Sequence, residues 1–329
     1  MVQNNSSDSR IHVDGKYNAS KRCSEVIKDL GLIFELDKDS EKKINTVEVA
    51  EAFGCFAMAV SGFVILGAGV AWADDMDSGV FAKLGFIVFF IGLVVYLISI
   101  FRKGIIIQDE FSDYRYKVAR DLIPLLDTDI DSNSNVKINL NLKEFPVIDQ
   151  SGKNKKRKTK NPKGERQHQT TQESILTLSG RFRDGTKFNY EITEHTLAYG
   201  EWFYYRAISG KTKTKLRAKK RTKWIGKLRL RFKDKQYDTS SISIPELEGF
   251  AQMPEGTRLK KVKTGDSELT MVSLTDTYKE KKKFKPREDI DFAWRSMKNH
   301  EEQIKIIFSM SAMMFLSLYQ ALHSCSVKS

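Results

Sequence analysis

Two apolar stretches, residues 52–73 and 80–101, follow one another near the front of this 329-residue chain. Each is long enough to cross a hydrocarbon core of about 30 Å as a helix. Only residues 74–79 separate them, so the pair must turn back as a hairpin. A chain of this pattern is expected to be an integral membrane protein. The periodicities downstream make it α+β: an N-terminal two-helix transmembrane hairpin, then a cytoplasmic antiparallel β-rich domain with a C-terminal hydrophobic helix.

Topology follows the Lys and Arg residues close to the spans. The connecting loop holds Asp74, Asp75 and Asp77, whereas Arg102 and Lys103 follow the second span at once. This places the protein in the cell (inner or plasma) membrane, multi-pass, with both termini cytoplasmic. The first 20 residues lack an apolar core, so no cleavable signal peptide is expected. Gly85, Gly92 and Ser99 recur every seven residues on the second span. Such a small-residue stripe lets helices pack closely, either within the hairpin or between subunits of a homo-oligomer.

The soluble parts divide by pattern. Residues 1–19 read as a disordered N-terminus and residues 20–51 as a cytoplasmic helical segment, with Val26, Leu30 and Phe34 at spacings of four. Gly31 could end that helix early. The hairpin occupies residues 52–103. Residues 104–134 form a juxtamembrane helix and linker, with Pro124 as the helix stop. Residues 135–329 form the β-rich domain. There Val136, Ile138, Leu140 and Leu142 alternate with polar residues, and Asp184-Gly185 between alternating runs predicts a type I′ hairpin. Residues 153–170 and 211–223 read as basic loops. Residues 304–322 are apolar enough to span, but their Ser, Tyr and Gln content suits a helix buried against the sheet; a third span is the alternative.

The net charge of +13 is local. Residues 151–166 carry a net +7 and residues 211–235 a net +12, so the rest of the chain is acidic. On a strand, Lys227, Arg229, Arg231 and Lys233 share the face opposite to Leu228, Leu230 and Phe232. Together with Lys211, Lys213 and Lys215 they form the expected anion-binding set. Its partners are anionic inner-leaflet lipid or an acidic protein, with nucleic acid ranked behind because no nucleic-acid motif is present. The solvated face of an ordinary domain is the bland alternative.

Motifs for chemistry fail one by one. Ser209-Gly210-Lys211-Thr212 ends like a phosphate-binding loop, but Tyr205 stands where its first glycine belongs. Asp127, Asp129, Asp131 and Asn133 resemble a calcium loop, but Ser132 and Ile138 occupy its required Gly and Glu positions. Cys23, Cys55 and Cys325 show neither a disulfide framework nor a zinc spacing. His195 has Glu194 on the opposite strand face and no nucleophile beside it. The expectation is a non-enzymatic protein with no cofactor and no metal. The alternative is an oligomeric membrane channel or effector component assembled through the hairpin.

Overall fold

The computed structural model describes residues 15–71, 78–108, 113–131, 134–142, 157–158, 165–206, 210, 212–233, 235–239, 243–265, 267–284 and 301–326. The chain divides into two compact units, one made of Met1–Gly31 with Ser112–Ser329 and the other of Leu32–Phe111.

The second unit is helical. Helix α1 (Cys23–Ala71) contributes most of its length to it, and α2 (Ser78–Gln108) follows. Residues 74–77 of the acidic turn lie outside the described residues. Gly54, Ser61, Gly85, Gly92 and Ser99 are buried, and their sizes explain how. A Cβ on Gly92 would stand 3.1 Å from the Gly54 carbonyl oxygen and 3.2 Å from the Ala57 Cβ. Glycine at both positions lets the two backbones meet. Ser99 spends its hydroxyl on the Val95 carbonyl oxygen at 2.8 Å, so the stripe leaves no unsatisfied polar group there. Outside the stripe the helices expose large apolar side chains: Phe53, Phe56 and Phe63 on α1, and Phe86, Phe90, Leu97 and Phe101 on α2.

The first unit is an antiparallel sheet with helices on one face. Its strands are β1 (Lys16–Lys21), β2 (Val136–Asn141), β3 (Arg157–Lys158), β4 (Glu165–Arg181), β5 (Lys187–Arg206), β6 (Thr212–Arg231), β7 (Thr257–Gly265), β8 (Glu268–Thr275) and β9 (Tyr278–Phe284). The order is β1-β2-β4-β5-β6-β8-β7, with β3 added to β4 and β9 added to β6. Ile225 pairs with Leu274 and Thr222 with Tyr278, so β8 and β9 take successive lengths of the same β6 edge.

Helices α3 (Asp113–Asp127), α4 (Ile244–Phe250) and α5 (Glu301–Ser324) belong to this unit. Ile307, Met310, Met314, Leu318 and Leu322 recur at three and four residues along α5 and are all fully buried. Its apolar window is 44% buried, against 11% for α1 and 17% for α2. Gly226 on β6 makes room for α5, since a Cβ there would lie 2.8 Å from the Met314 sulfur. The Tyr190 hydroxyl meets the Ser311 hydroxyl at 2.5 Å in the same interface, and Phe315 packs edge-on to Phe188. Of the serines that argued against a lipid-facing helix, Ser311 and Ser317 are buried and Ser309 is half-buried.

Several expectations need correction. Residues 16–19 are not disordered; they begin β1, whose Tyr17 is buried and donates to Asp29 at 2.8 Å. The alternative of a helix ending at Gly31 is not taken, because α1 continues through it and past Phe34. Pro124 does not stop α3, which runs on to Asp127. The basic segments read as loops are partly strand, 165–170 in β4 and 212–223 in β6. Long pairing with β5 supplies a backbone ladder that lysine-rich composition alone does not announce. The Asp184-Gly185 turn is a three-residue loop, with Phe182 N donating to Thr186 O and Gly185 N to Phe182 O, both at 2.9 Å. Gly185 sits at φ +88°, the left-handed position that ends a type I turn with a bulge.

Two polar clusters tie the helices to the sheet. Arg115 of α3 is 2% exposed and binds Glu173 at 2.9 Å and Glu194 at 3.1 Å. Asn141 adds a hydrogen bond to Glu173, and Thr196 one to Glu194 at 2.9 Å. At the β4–β5 turn, Asp184 accepts from Tyr237 at 2.7 Å, from Thr186 N at 2.8 Å and from Tyr319 of α5 at 3.4 Å. Burial pushes the Asp184 carboxyl up, but the bonds from Tyr237 and Thr186 and the nearby His323 outweigh it and hold it below the usual carboxylate range.

Candidate functional site

The face of the sheet turned away from the helices carries the basic row. Leu228 and Leu230 of β6 are fully buried, so alternation sends Lys227, Arg229 and Arg231 outward. Strand β8 lies beside them with Val272, Thr270 and Glu268 in register, and β7 follows with Lys261, Lys263 and Gly265. Lys227 and Lys261 therefore flank Val272, and Arg229 and Lys263 flank Thr270. Neighbouring strands lie about 4.8 Å apart and same-face residues about 6.8 Å apart, so these four cations frame a rectangle of roughly 10 by 7 Å. Short side chains on the middle strand make its floor. The result is a concavity of about 600 Å3 lined by these residues, with Thr264, Gly265 and Glu268 at one side.

A bulge sets this geometry. Leu259 pairs with Ser273 and Lys261 with Val272, leaving Lys260 as an extra residue in β7. The extra residue lets Val262 stay buried while Lys261 and Lys263 come to the outer face. The sequence holds the signal: Leu259 and Val262 are three apart, a spacing that a regular strand cannot bury on one side.

Glu268 is the one carboxylate among the described lining residues. Its Oε1 takes the Arg229 Nε at 2.9 Å and its Oε2 the Arg231 Nε at 3.0 Å. Thr270 donates to Oε1 at 3.1 Å. Burial raises the carboxyl, but the bonds from Arg231 and Thr270 and the charges of both arginines hold it below its ordinary range. It stays ionised at neutral pH. Among the described residues, Lys227, Lys261 and Lys263 have no carboxylate within 4.0 Å.

The expected anion-binding set divides. Lys227, Arg229 and Arg231 come together on this face, whereas Lys233 lies past the end of β6 in a turn, where its carbonyl accepts from Gln236 N at 2.9 Å. Lys213 and Lys215 pair in register with Tyr205 and Phe203 at the far end of β6. Lys215 and Lys227 are twelve positions apart along the strand, about 40 Å at 3.3 Å per residue. Lys211 lies outside the described residues. Lys261, Lys263 and Glu268 complete the site and were not anticipated. His195 also lies on the outer face, opposite to Glu194; burial and the charges of Lys223 and Lys260 lower its pKa. Among the described residues no three of His, Cys, Asp and Glu converge as a metal site requires.

Comparison of the chain with protein-family models, with curated proteins and with solved structures finds no match.

Proposed function

We propose that this is a non-enzymatic membrane protein, anchored by the α1–α2 hairpin with both termini cytoplasmic, whose sheet unit binds anionic lipid of the inner leaflet through the β6–β8–β7 face. The observation that carries this reading is the set of three ammonium groups, Lys227, Lys261 and Lys263, held around Arg229 with no carboxylate partner among the described residues. Charges left unpaired on an ordered face generate a positive potential that an anionic surface complements. The exposed phenylalanines of the hairpin support the membrane anchor, since so many exposed large apolar side chains on two helices are unfavourable in water. Among the described residues three helices are long and apolar enough to span, and the burial of α5 against the sheet favours α1 and α2 for that role.

The test uses the full chain in phosphatidylcholine nanodiscs, captured on beads coated with phosphatidylcholine alone or mixed with phosphatidylserine. Each Lys near an anionic surface contributes about 1 kcal/mol, so Lys227→Gln with Lys261→Gln and Lys263→Gln should weaken capture by roughly 150-fold. Capture should fall as salt shortens the screening length from about 10 Å. Equal capture on neutral beads, or a triple variant that binds like the parent, would overturn the reading. Stronger retention by RNA or an acidic protein at matched salt would assign the face to that partner instead.

A further inference from the structure

We infer that the concavity between Lys227, Arg229, Lys261 and Lys263 is a discrete site for a phosphomonoester dianion, and that Glu268 is its positioning residue. The inference rests on the anionic-lipid reading above and makes it specific. Its ligand is either the headgroup of a lipid ending in a phosphomonoester or a free phosphorylated solute, since both present the same group.

Three observations point to this chemistry. The lining carries four cations against Glu268, a net charge of +3. A phosphodiester or a carboxylate brings one negative charge and two free oxygens, which leaves most of these donors idle. A phosphomonoester brings about −1.5 to −2 and three acceptor oxygens. The cations are also placed around a centre rather than along a line, because β8 puts only Val272 and Thr270 between them. A flat polybasic surface has no need of this floor.

The third observation is the mode of the Glu268 contacts. Arg231 donates its Nε to Glu268 Oε2 at 3.0 Å, and Arg229 forms an ion pair with Oε1 whose nearest approach is through its Nε at 2.9 Å. The Nη groups of Arg229 make no hydrogen bond among the described residues. A carboxylate held in this way orients a guanidinium and leaves its donors for a second anion. An ionised Glu268 costs positive charge in a region where a diffuse field would be stronger without it. Positioning explains why it is there.

The two accounts give opposite results for one substitution. In a diffuse field, Glu268→Gln removes a negative charge and strengthens binding to every anionic surface. In a built site, glutamine offers a single carbonyl oxygen to two guanidiniums, and selectivity is lost. The experiment compares capture of the full chain, in phosphatidylcholine nanodiscs, on vesicles carrying phosphatidic acid or phosphatidylserine at matched surface potential. Calorimetry with glycerol 3-phosphate forms a second arm. The parent should prefer phosphatidic acid by about tenfold, the worth of one added charge-assisted hydrogen bond. Glu268→Gln should bring that preference to about one while phosphatidylserine binding is kept or raised. Arg229→Lys, which retains the charge and removes the fork, should lower it in the same way and guards against a folding defect in either variant.

Glycerol 3-phosphate binding that matches vesicle binding would identify the free solute as the ligand, and weak competition by it the lipid. Equal capture on the two lipids, with both lost in the triple lysine variant, would overturn the discrete site and leave the anionic-lipid reading standing. No capture on either lipid and no heat with glycerol 3-phosphate would overturn both. A preference that survives Glu268→Gln and Arg229→Lys would remove the positioning role.

Discussion

Replacing Arg115 with methionine tests whether the charge cluster at the α3–sheet junction holds the first unit together. The guanidinium is 2% exposed and lies 2.9 Å from Glu173 and 3.1 Å from Glu194. Methionine fills much of the space but leaves two carboxylates without their main partner. Breaking a buried pair in this way costs about 3–5 kcal/mol. Glu194 is 7% exposed and bears most of this, whereas Glu173 at 22% reaches some water, which moves the expected loss toward about 3–4 kcal/mol. For a unit of this size 1 kcal/mol shifts the melting temperature by about 2–4 °C, so Arg115→Met should lower it by roughly 6–16 °C. The assay is thermal unfolding of the detergent-solubilised full chain followed by near-ultraviolet circular dichroism. Adding Glu173→Gln and Glu194→Gln to Arg115→Met removes the stranded charges and should recover most of the loss, since a neutral cluster pays no ionic desolvation. A single variant melting within about 2 °C of the parent would refute the reasoning, because that is less than 1 kcal/mol.

Gly92→Leu should separate α1 from α2, since even a Cβ there reaches within 3.1 Å of the Gly54 carbonyl oxygen; the far-ultraviolet circular dichroism of the helices in detergent should melt at a lower temperature, and an unchanged transition would mean the helices accommodate the side chain. Asp184→Asn should destabilise the first unit at neutral pH. The Asp184 pKa is lowered on folding, so its contribution is complete above the unfolded value of about 3.9 and is lost as pH falls through the folded value. The gap in melting temperature between parent and Asp184→Asn should thus be constant above about pH 5 and close below about pH 4; a gap that does not change with pH would show that the hydrogen-bond geometry alone matters.

The sequence by itself determined what local pattern and solvent partition decide. The hairpin was legible because some twenty apolar residues in a row have few other fates. Strand β2 was legible because Val136, Ile138 and Leu140 alternate with polar residues that the sheet indeed exposes. The outward row on β6 followed from the same alternation, and the serines of residues 304–322 already argued for an internal helix. Tertiary structure decided the rest. Strand β1 contains one large apolar residue, Tyr17, and exists because β2 offers it an edge. The first half of β6 is too rich in lysine to look like a strand, yet its pairing with β5 supplies a complete ladder. Arg115, Glu173 and Glu194 are 58 and 79 positions apart in the chain for their two contacts, and only packing of α3 on the sheet makes them a cluster. The concavity has the same origin. Lys227 and Lys261 are remote in sequence and face each other across β8 only because a bulge at Lys260 turns β7 by one residue. Alternation is a property of one strand, whereas a site is a property of the register between strands, and register is set by long-range pairing and burial.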